Sequence, residues 1–340
     1  MTAADPAHTR SGIVLVMVLF FVLLLASAMA SFLRRVAIDA GVATNRDRAQ
    51  QAESLARGGV RLAEVILLED LRTRQEGGPD SRHDLWARAG DVDLMDDPDV
   101  ALNVRIEDAA ARVNLNGFLK KGVVSEDDRL FLQQFFAGVI AVMPGRPEEL
   151  HYDPLELTAN FVDWIDADEV SADGAPEAER YARRDPPTRV PNRPLLSVDE
   201  LRLVDGFDGR LVEALKPFVG VYPLVGGGGV NLNTAPPWVL IQMMGGSPVG
   251  ELQPLKEQDV RRIVDARDEA PLCGAGGQDA ACTPLNQVLE FEKLKPDPTE
   301  RSNVFVVTAV ARVVDVERRI EAVIDRAAEG GPKRLSWRVF

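Results

Sequence analysis

The hydrophobic pattern divides the chain near its start. Twenty-one uncharged residues run from Ile13 to Leu33, "IVLVMVLFFVLLLASAMASFL". As a helix they span about 30 Å, the thickness of a bilayer core. From Arg34 to Asp70 the apolar positions thin out but keep a helical period: Val36, Ala40 and Ala43, then Leu55, Val60, Leu62, Val65 and Ile66. This predicts one helix of roughly 55 residues, half in lipid and half amphipathic.

After a turn-rich acidic stretch, 72–99, the period changes to two. "VALNVRIED" alternates and reads as a strand, with "ARVNLN" as its expected partner. Roughly 180 residues of helical pattern follow. "SEDDRLFLQQFFAGVIAVM" opens with a Ser cap and acids in its first turn. "PLELTANFVDWID", "SVDELRLVDG", "DGRLVEALKPFV", "APPWVLIQMM", "KEQDVRRIVDARDE" and "LNQVLEFEKL" continue it. Strand pattern returns in "SNVFVVTAVARVVD" and "VERRIEAVIDR", with a tight junction near Asp315. Strands interrupted by a helical block predict an α+β domain carrying an inserted all-α domain.

Composition sharpens this. The chain has 340 residues and a formal net charge of −14, long enough for two folded domains with real cores. Its two cysteines, Cys273 and Cys282, share one Gly-rich loop. That proximity suggests a local disulfide and an oxidising compartment. Two free thiols, or half of a metal site, are the alternatives. A zinc site needs about four ligands, and His8, His83 and His151 lie far away in sequence.

The N-terminus has three readings: a secretory signal cut near Ala30, a plain anchor, or a leader cut before an apolar run that is kept. A cleaved signal core is shorter, roughly 7–15 residues. Arg10 stands before the run and Arg34 and Arg35 after it, so the positive-inside rule does not fix the orientation.

The acidic residues crowd into "FVDWIDADEVSADGAPEAERYARRD". Asp166 and Asp168 are spaced as the first and third ligands of a calcium loop, with Glu177 at the twelfth place. Val170 and Ser171 stand where an EF-hand needs an oxygen ligand and a glycine, so this is not an EF-hand. A less regular calcium site and a solvated acidic loop both remain open. Enzyme motifs fail: "GGSPVG" misses the nucleophile elbow and "VGGGGV" is no P-loop. "LSVDELRLVDGFDGRLVEALKPFV" and "GGVNLNTAPPWVLIQMMGG" with "DVRRIVDARDEA" resemble tandem helix-hairpin-helix units of DNA receptors. Asp199, Glu200, Asp205, Asp208, Glu213, Glu251, Glu257 and Asp259 crowd them, against the phosphate neutralisation that DNA binding needs.

One resemblance joins these pieces. "RSGIVLVMVLFFVLLLASAMASFLRR" is similar to the leader and N-terminal helix of type IV pilins and type II secretion pseudopilins. "ARVNLN", "NFVDWIDAD", "GAPEAERY", "VPNRPLLSVDELRLVDGFD", "LKPFVGVYP" and "VNLNTAPPWVL" follow in the order of the large minor pseudopilin K family of the type II secretion system. The resemblance implies a leader, 1–12, cut by prepilin peptidase between Gly12 and Ile13, a transmembrane segment, 13–33, and a periplasmic helix, 34–72. It implies a pilin-like α+β domain with a small antiparallel sheet, 73–117 and 301–340, and an inserted helix-hairpin-helix or SAM-like α-domain, 118–300. It further implies structural calcium at Asp166, Asp168 and Glu177, with Asp163 and Asp173 as further candidates.

The chain is then expected in the inner membrane as a single-pass protein with a periplasmic body, at the tip of the pseudopilus. Other minor pseudopilins are its expected partners; catalysis and nucleic-acid binding are not expected. The function implied is to start and cap the pseudopilus in protein export. A DNA-uptake receptor on a pilus is the competing reading. One position departs from ordinary pilins: Met17, the fifth mature residue, stands where shaft subunits carry glutamate.

The leader reading gives a direct expectation. Mass spectrometry of membrane-extracted protein should find Ile13 at the N-terminus, N-methylated, and Gly12→Leu should leave residues 1–12 attached. A wild-type chain that keeps the leader, or starts near Ala30, refutes it.

Overall fold

The computed structural model describes residues 8–73, 78–91, 94–95, 97–145, 151–171, 174–183, 187–227, 229–247, 252–274 and 282–340. The first helix, α1, runs unbroken from His8 to Thr73. At 1.5 Å per residue it is about 100 Å long, so the apolar and amphipathic stretches are one element. From Ile13 to Val42 every residue is exposed. Its best membrane window has a mean hydropathy of 3.0. Beyond Arg48 one stripe goes under: Ala52, Ala56, Val60, Ala63 and Leu67 are fully buried.

The stripe packs on an antiparallel sheet of four strands, β1 (Val100–Asp108), β2 (Val304–Val313), β3 (Val316–Asp325) and β4 (Lys333–Val339), in that spatial order. Small residues face each other across this contact, Ala56 and Ala63 against Ala309, Ala311 and Ala322, so the backbones can come close. Gly59 shows how close. A Cβ there would sit 2.9 Å from Val104 Cγ2 and 3.2 Å from Ala309 Cβ. Longer contacts tie α1 to the sheet at its edges. Arg48 pairs with Asp315 at 3.0 Å, and Arg334 grips Glu64 through Nε and Nη2 at 2.6 and 3.0 Å.

Two sheet features differ from the sequence reading. The partner of β1 is β2, in a register that sets Asp108 opposite Phe305, and not "ARVNLN". After Asp108, whose carboxylate accepts from Ala110 N at 2.8 Å, a short 3-10 turn carries the chain away. Val113–Asn114 then pairs in parallel with Val219–Gly220. The second difference is β4, an edge strand beyond the expected ones, in which Leu335, Trp337 and Val339 alternate with Arg334, Ser336 and Arg338. Its Trp337 is partly buried and lies between Arg57 and Arg334, whose guanidinium carbons are 5.4 and 5.0 Å from the ring centroid.

Everything between Asp108 and Val304 is inserted between two adjacent strands. The insert holds α2 (Glu126–Ala141), α3 (Pro154–Ile165), α4 (Glu177–Ala182), α5 (Gly209–Leu215), α6 (Pro237–Leu240), α7 (Glu257–Glu269) and α8 (Leu285–Val288). An aromatic file, Phe118, Phe131, Phe135, Phe136, Phe161 and Phe207, runs through its core. Ser125 caps α2, accepting from Asp128 N at 3.2 Å. Burial works to raise the Asp128 pKa, but hydrogen bonds from Lys295, at 2.5 Å, and Ser125 hold it below the usual value.

Some helices are shorter than their patterns suggested. "SVDELRLVDG" forms only a 3-10 segment, Val198–Leu203. "APPWVLIQMM" gives one turn, α6, before Met244–Gly246 joins a three-stranded sheet with Gln253–Pro254 and Lys293–Lys295. Gly245 permits that turn into strand, since a Cβ there would lie 2.7 Å from the Phe291 ring.

The insert is stapled twice by the same four residues. "VNLN" occurs at 113–116 and again at 230–233. In each copy the first Asn accepts from the backbone N–H of the second, at 3.0 Å in both. Asn116 donates to the Leu195 and Val221 carbonyls and accepts from Leu195 N. Asn233 likewise donates to Leu272 O and accepts from Leu272 N. All four asparagines are buried, and each fixes backbone from a distant segment. Cys273, beside Leu272, is joined to Cys282.

The β2–β3 turn carries a strained residue. Val314 has φ 58°, a left-handed conformation that costs a non-glycine residue about 1–2 kcal/mol, more for a β-branched one. Val314→Gly should therefore raise unfolding free energy by about 1 kcal/mol in chemical denaturation. A loss of stability would mean that the valine's packing outweighs the strain.

Candidate functional site

The acidic loop folds into a defined cluster. α3 buries Phe161, Val162, Trp164 and Ile165 in the insert core. Asp163 and Asp166, one turn apart, are thereby fixed on its remaining face. The chain then makes a small hairpin: Val170 bridges Pro176, and Ser171 N donates to Ala175 O at 2.9 Å. Gly174 turns it with φ +81°. This return brings Glu177, the first residue of α4, back over Asp166 and Asp168. Tyr181 of α4 packs against Trp164 of α3 in a tilted contact, ring centroids 5.3 Å apart, which joins the two helices.

One carboxylate oxygen from each of Asp166, Asp168 and Glu177 lies within 4.8 Å of the others. Asp166 and Glu177 are buried, 4% and 2% exposed. Asp166 Oδ1, both Glu177 oxygens and Asn192 Oδ1 are buried without a hydrogen-bond partner. Burial, then repulsion from Asp168 and Asp163, pushes the Asp166 carboxyl up to about 6 against the pull of Arg129, 3.9 Å away. Burial, then the charges of Asp163, Asp166 and Asp168, pushes Glu177 up to about 7. Four orphaned oxygens and crowded carboxylates suit a hard divalent cation bound through oxygen. The donor set fits calcium.

Asp163 lies outside the three-residue group, though its charge acts on both buried carboxylates. Asp173 falls outside the described residues. Asn192 was not singled out from sequence. Its backbone is left-handed, φ 45°, and its amide donates to the Asp168 carbonyl. An asparagine in "VPNRP", a turn-forming context, was the available signal.

A second acidic group, Asp70, Asp80 and Asp84, has a different role. Arg326 already sits there, 2.7 Å from Asp70 and 2.6 Å from Asp80, over the Phe305 ring. Asp84 accepts from Ser81 N and Trp86 Nε1. These oxygens are committed to protein donors. In the helix-hairpin-helix-like unit, Lys216 is 2.8 Å from Asp199 and 2.7 Å from Glu213, so its charge is met by carboxylates.

A long N-terminal helix, bare along its apolar half and laid by its other half on an antiparallel sheet, defines a pilin-type subunit. The insert between β1 and β2 makes it one of the large minor kind. A family model for type II secretion system protein K matches residues 111–224. Protein K of Pseudomonas aeruginosa is 33% identical over 269 residues, covering 76% of this chain and 72% of that protein. Protein K of Aeromonas hydrophila is 27% identical over 353 residues, covering 95% of this chain and 96% of that one. A chain in the crystal structure of the GspK–GspI–GspJ complex from enterotoxigenic Escherichia coli superposes with a TM-score of 0.61 at 20% identity, covering 88% of this chain and 99% of that one. The chain belongs to the type II secretion system protein K family. It is a minor pseudopilin, anchored in the inner membrane by α1 with its body in the periplasm.

The cation reading can be tested on the full-length protein in detergent. Saturating calcium should raise the melting temperature and EGTA should lower it; a ligand at 100 times its Kd stabilises by about 2.7 kcal/mol. Glu177→Gln should melt higher than wild type in EGTA, by relief of repulsion, and respond less to calcium. A variant with the full calcium response removes Glu177 from the site.

Proposed function

We propose that this chain is a non-enzymatic minor pseudopilin that starts the pseudopilus, caps its tip, and so supports protein export across the outer membrane. The observation that carries this reading is α1. Its exposed face runs from Ile13 through Val42 and continues at Leu62 and Val65, 37% and 63% exposed, on the periplasmic half. The chain's own sheet covers only the other side. A helix with such a face packs beside other helices of its kind. The Escherichia coli neighbour was crystallised with GspI and GspJ, which supports the corresponding minor pseudopilins as partners here.

Met17 supports the tip position. A carboxylate in lipid without a partner costs roughly 2.5–3.5 kcal/mol at the bilayer centre, and less near the interface. A subunit that joins behind another can offset that cost by pairing with the amine ahead of it. A leading subunit has no amine ahead, so an apolar residue suits it. Calcium at Asp166, Asp168 and Glu177 would be structural, locking α3 to α4 in the exposed head. Prepilin peptidase, cutting after Gly12, would release the mature helix for assembly.

Cysteine cross-linking between mature helices should yield pairs with other minor pseudopilins and almost none with a second copy. Immunogold labelling should mark one end of each filament. Labels spaced along the shaft, or abundant self-pairs, refute the tip position.

A further inference from the structure

A groove of ≈ 580 Å³ opens where the pilin sheet meets the insert, with a lining chemistry foreign to the rest of the insert. Three arginines line it: Arg82, Arg88 and Arg112. Trp238, the second residue of α6, contributes an indole that is 53% exposed, and Pro236 and Pro237 stand beside it. Residues 118–300 carry 31 Asp and Glu against 18 Lys and Arg, so nearly all of the chain's negative charge belongs to the insert. An arginine-lined groove at the edge of this acidic body is the exception.

Among the described residues, the arginines are weakly neutralised. Arg112 reaches Glu107 only at 3.8 Å, and its Nε is buried without a partner. Arg82 makes a long bond, 3.4 Å, to the Thr234 carbonyl, and Arg88 bonds the His83 carbonyl. The other lining acid, Asp108, is buried and already accepts from Asn231, Thr234 and the Ala110 N–H. Behind the 232–235 turn a fourth guanidinium, Arg267, is 3% exposed. Its Nη1 binds two carbonyls, while Nε and Nη2 have no partner. Burial, then the charge of Arg82, lowers its pKa to about 10.

Guanidinium forks match carboxylates in pairs, and Trp and Arg are among the residue types enriched at the energetic centres of protein interfaces. Prolines at the wall offer no N–H, so recognition here falls to side chains and not to an added strand. A long polyanion is disfavoured, because its flanks would meet the acidic insert. A short segment keeps its charge inside the groove. We propose that this groove is a docking site for a short, extended protein segment carrying two or more carboxylates. It is separate from the exposed face of α1 and does not depend on the tip assignment.

The test uses full-length protein in detergent and fluorescein-labelled octaglutamate, read by anisotropy. Binding should occur at low salt and weaken as salt rises. The double variant Arg88→Gln, Arg112→Gln should weaken it at least tenfold and Trp238→Ala at least threefold, with melting temperatures unchanged. Arg318→Gln, on the sheet, should change it less than twofold. Three results overturn the proposal: no binding at low salt, equal binding by the groove variants, or displacement by inorganic phosphate at equal charge concentration. Tight binding of duplex DNA that is lost in the same variants would also overturn it. So would self-association that octaglutamate dissolves, since the occupant would then be a second copy.

Discussion

Arg326 is the charge around which helix, sheet and insert are arranged. It leaves the end of β3 fully desolvated, and a guanidinium cannot shed its charge. Asp70 from α1 and Asp80 from the following loop meet it, and the Phe305 ring lies beneath it at 4.6 Å. Asp80 is held in turn by Ser302 N through its side chain and by Glu300 O through its backbone N–H. Its carbonyl accepts from Asn231 of the insert, whose amide also reaches Asp108 at the end of β1. Removing Arg326 would leave the fully buried Asp80 carboxylate without its guanidinium, a loss of about 3–5 kcal/mol. The insert is therefore joined to the pilin unit by polar groups that cannot be satisfied separately.

Much of this was legible in the sequence, and what escaped has physical reasons. α1 was readable because a charge-free run and a helical period are strong signals. The β2–β3 hairpin was readable from its β-branched residues. β4 is harder to read because its apolar alternation, Leu335, Trp337 and Val339, is brief, is set among Lys333, Arg334 and Arg338, and contains no fully buried residue. The partner of β1 is not legible because it lies about two hundred residues away, while "ARVNLN" stands next to it in the chain. The carboxylates at 166, 168 and 177 were visible as a cluster, and the structure brings them together. Asn192 was not, since only the closing of the 168–177 hairpin puts it there. The two "VNLN" segments were quotable as text, but their common role as staples appears only once their asparagines are seen to bind distant backbone.

Charge divides the molecule by task. The pilin unit is close to neutral, and its helix packs on its own sheet through small apolar residues. The insert carries the acidity, and its two concentrations of unsatisfied polar atoms have opposite sign. One is a knot of orphaned carboxylate oxygens between α3 and α4, the other a set of under-paired arginines at the junction. On the proposals above, a cation would answer the first and a carboxylate the second, and the two would not compete.

The placement of the insert between adjacent strands also sets an order of events as the chain emerges N-terminus first. β1 appears early, but its neighbour β2 follows only after the whole insert has crossed the membrane. Until then the Ala52–Leu67 stripe of α1 has no sheet to cover it. Joining two strands across so long an open loop is entropically slow. A folded insert changes this, because Asp108 and Phe305 leave it as opposed residues. Once folded, the insert presents β1 and β2 to each other and removes most of that loop-closure cost.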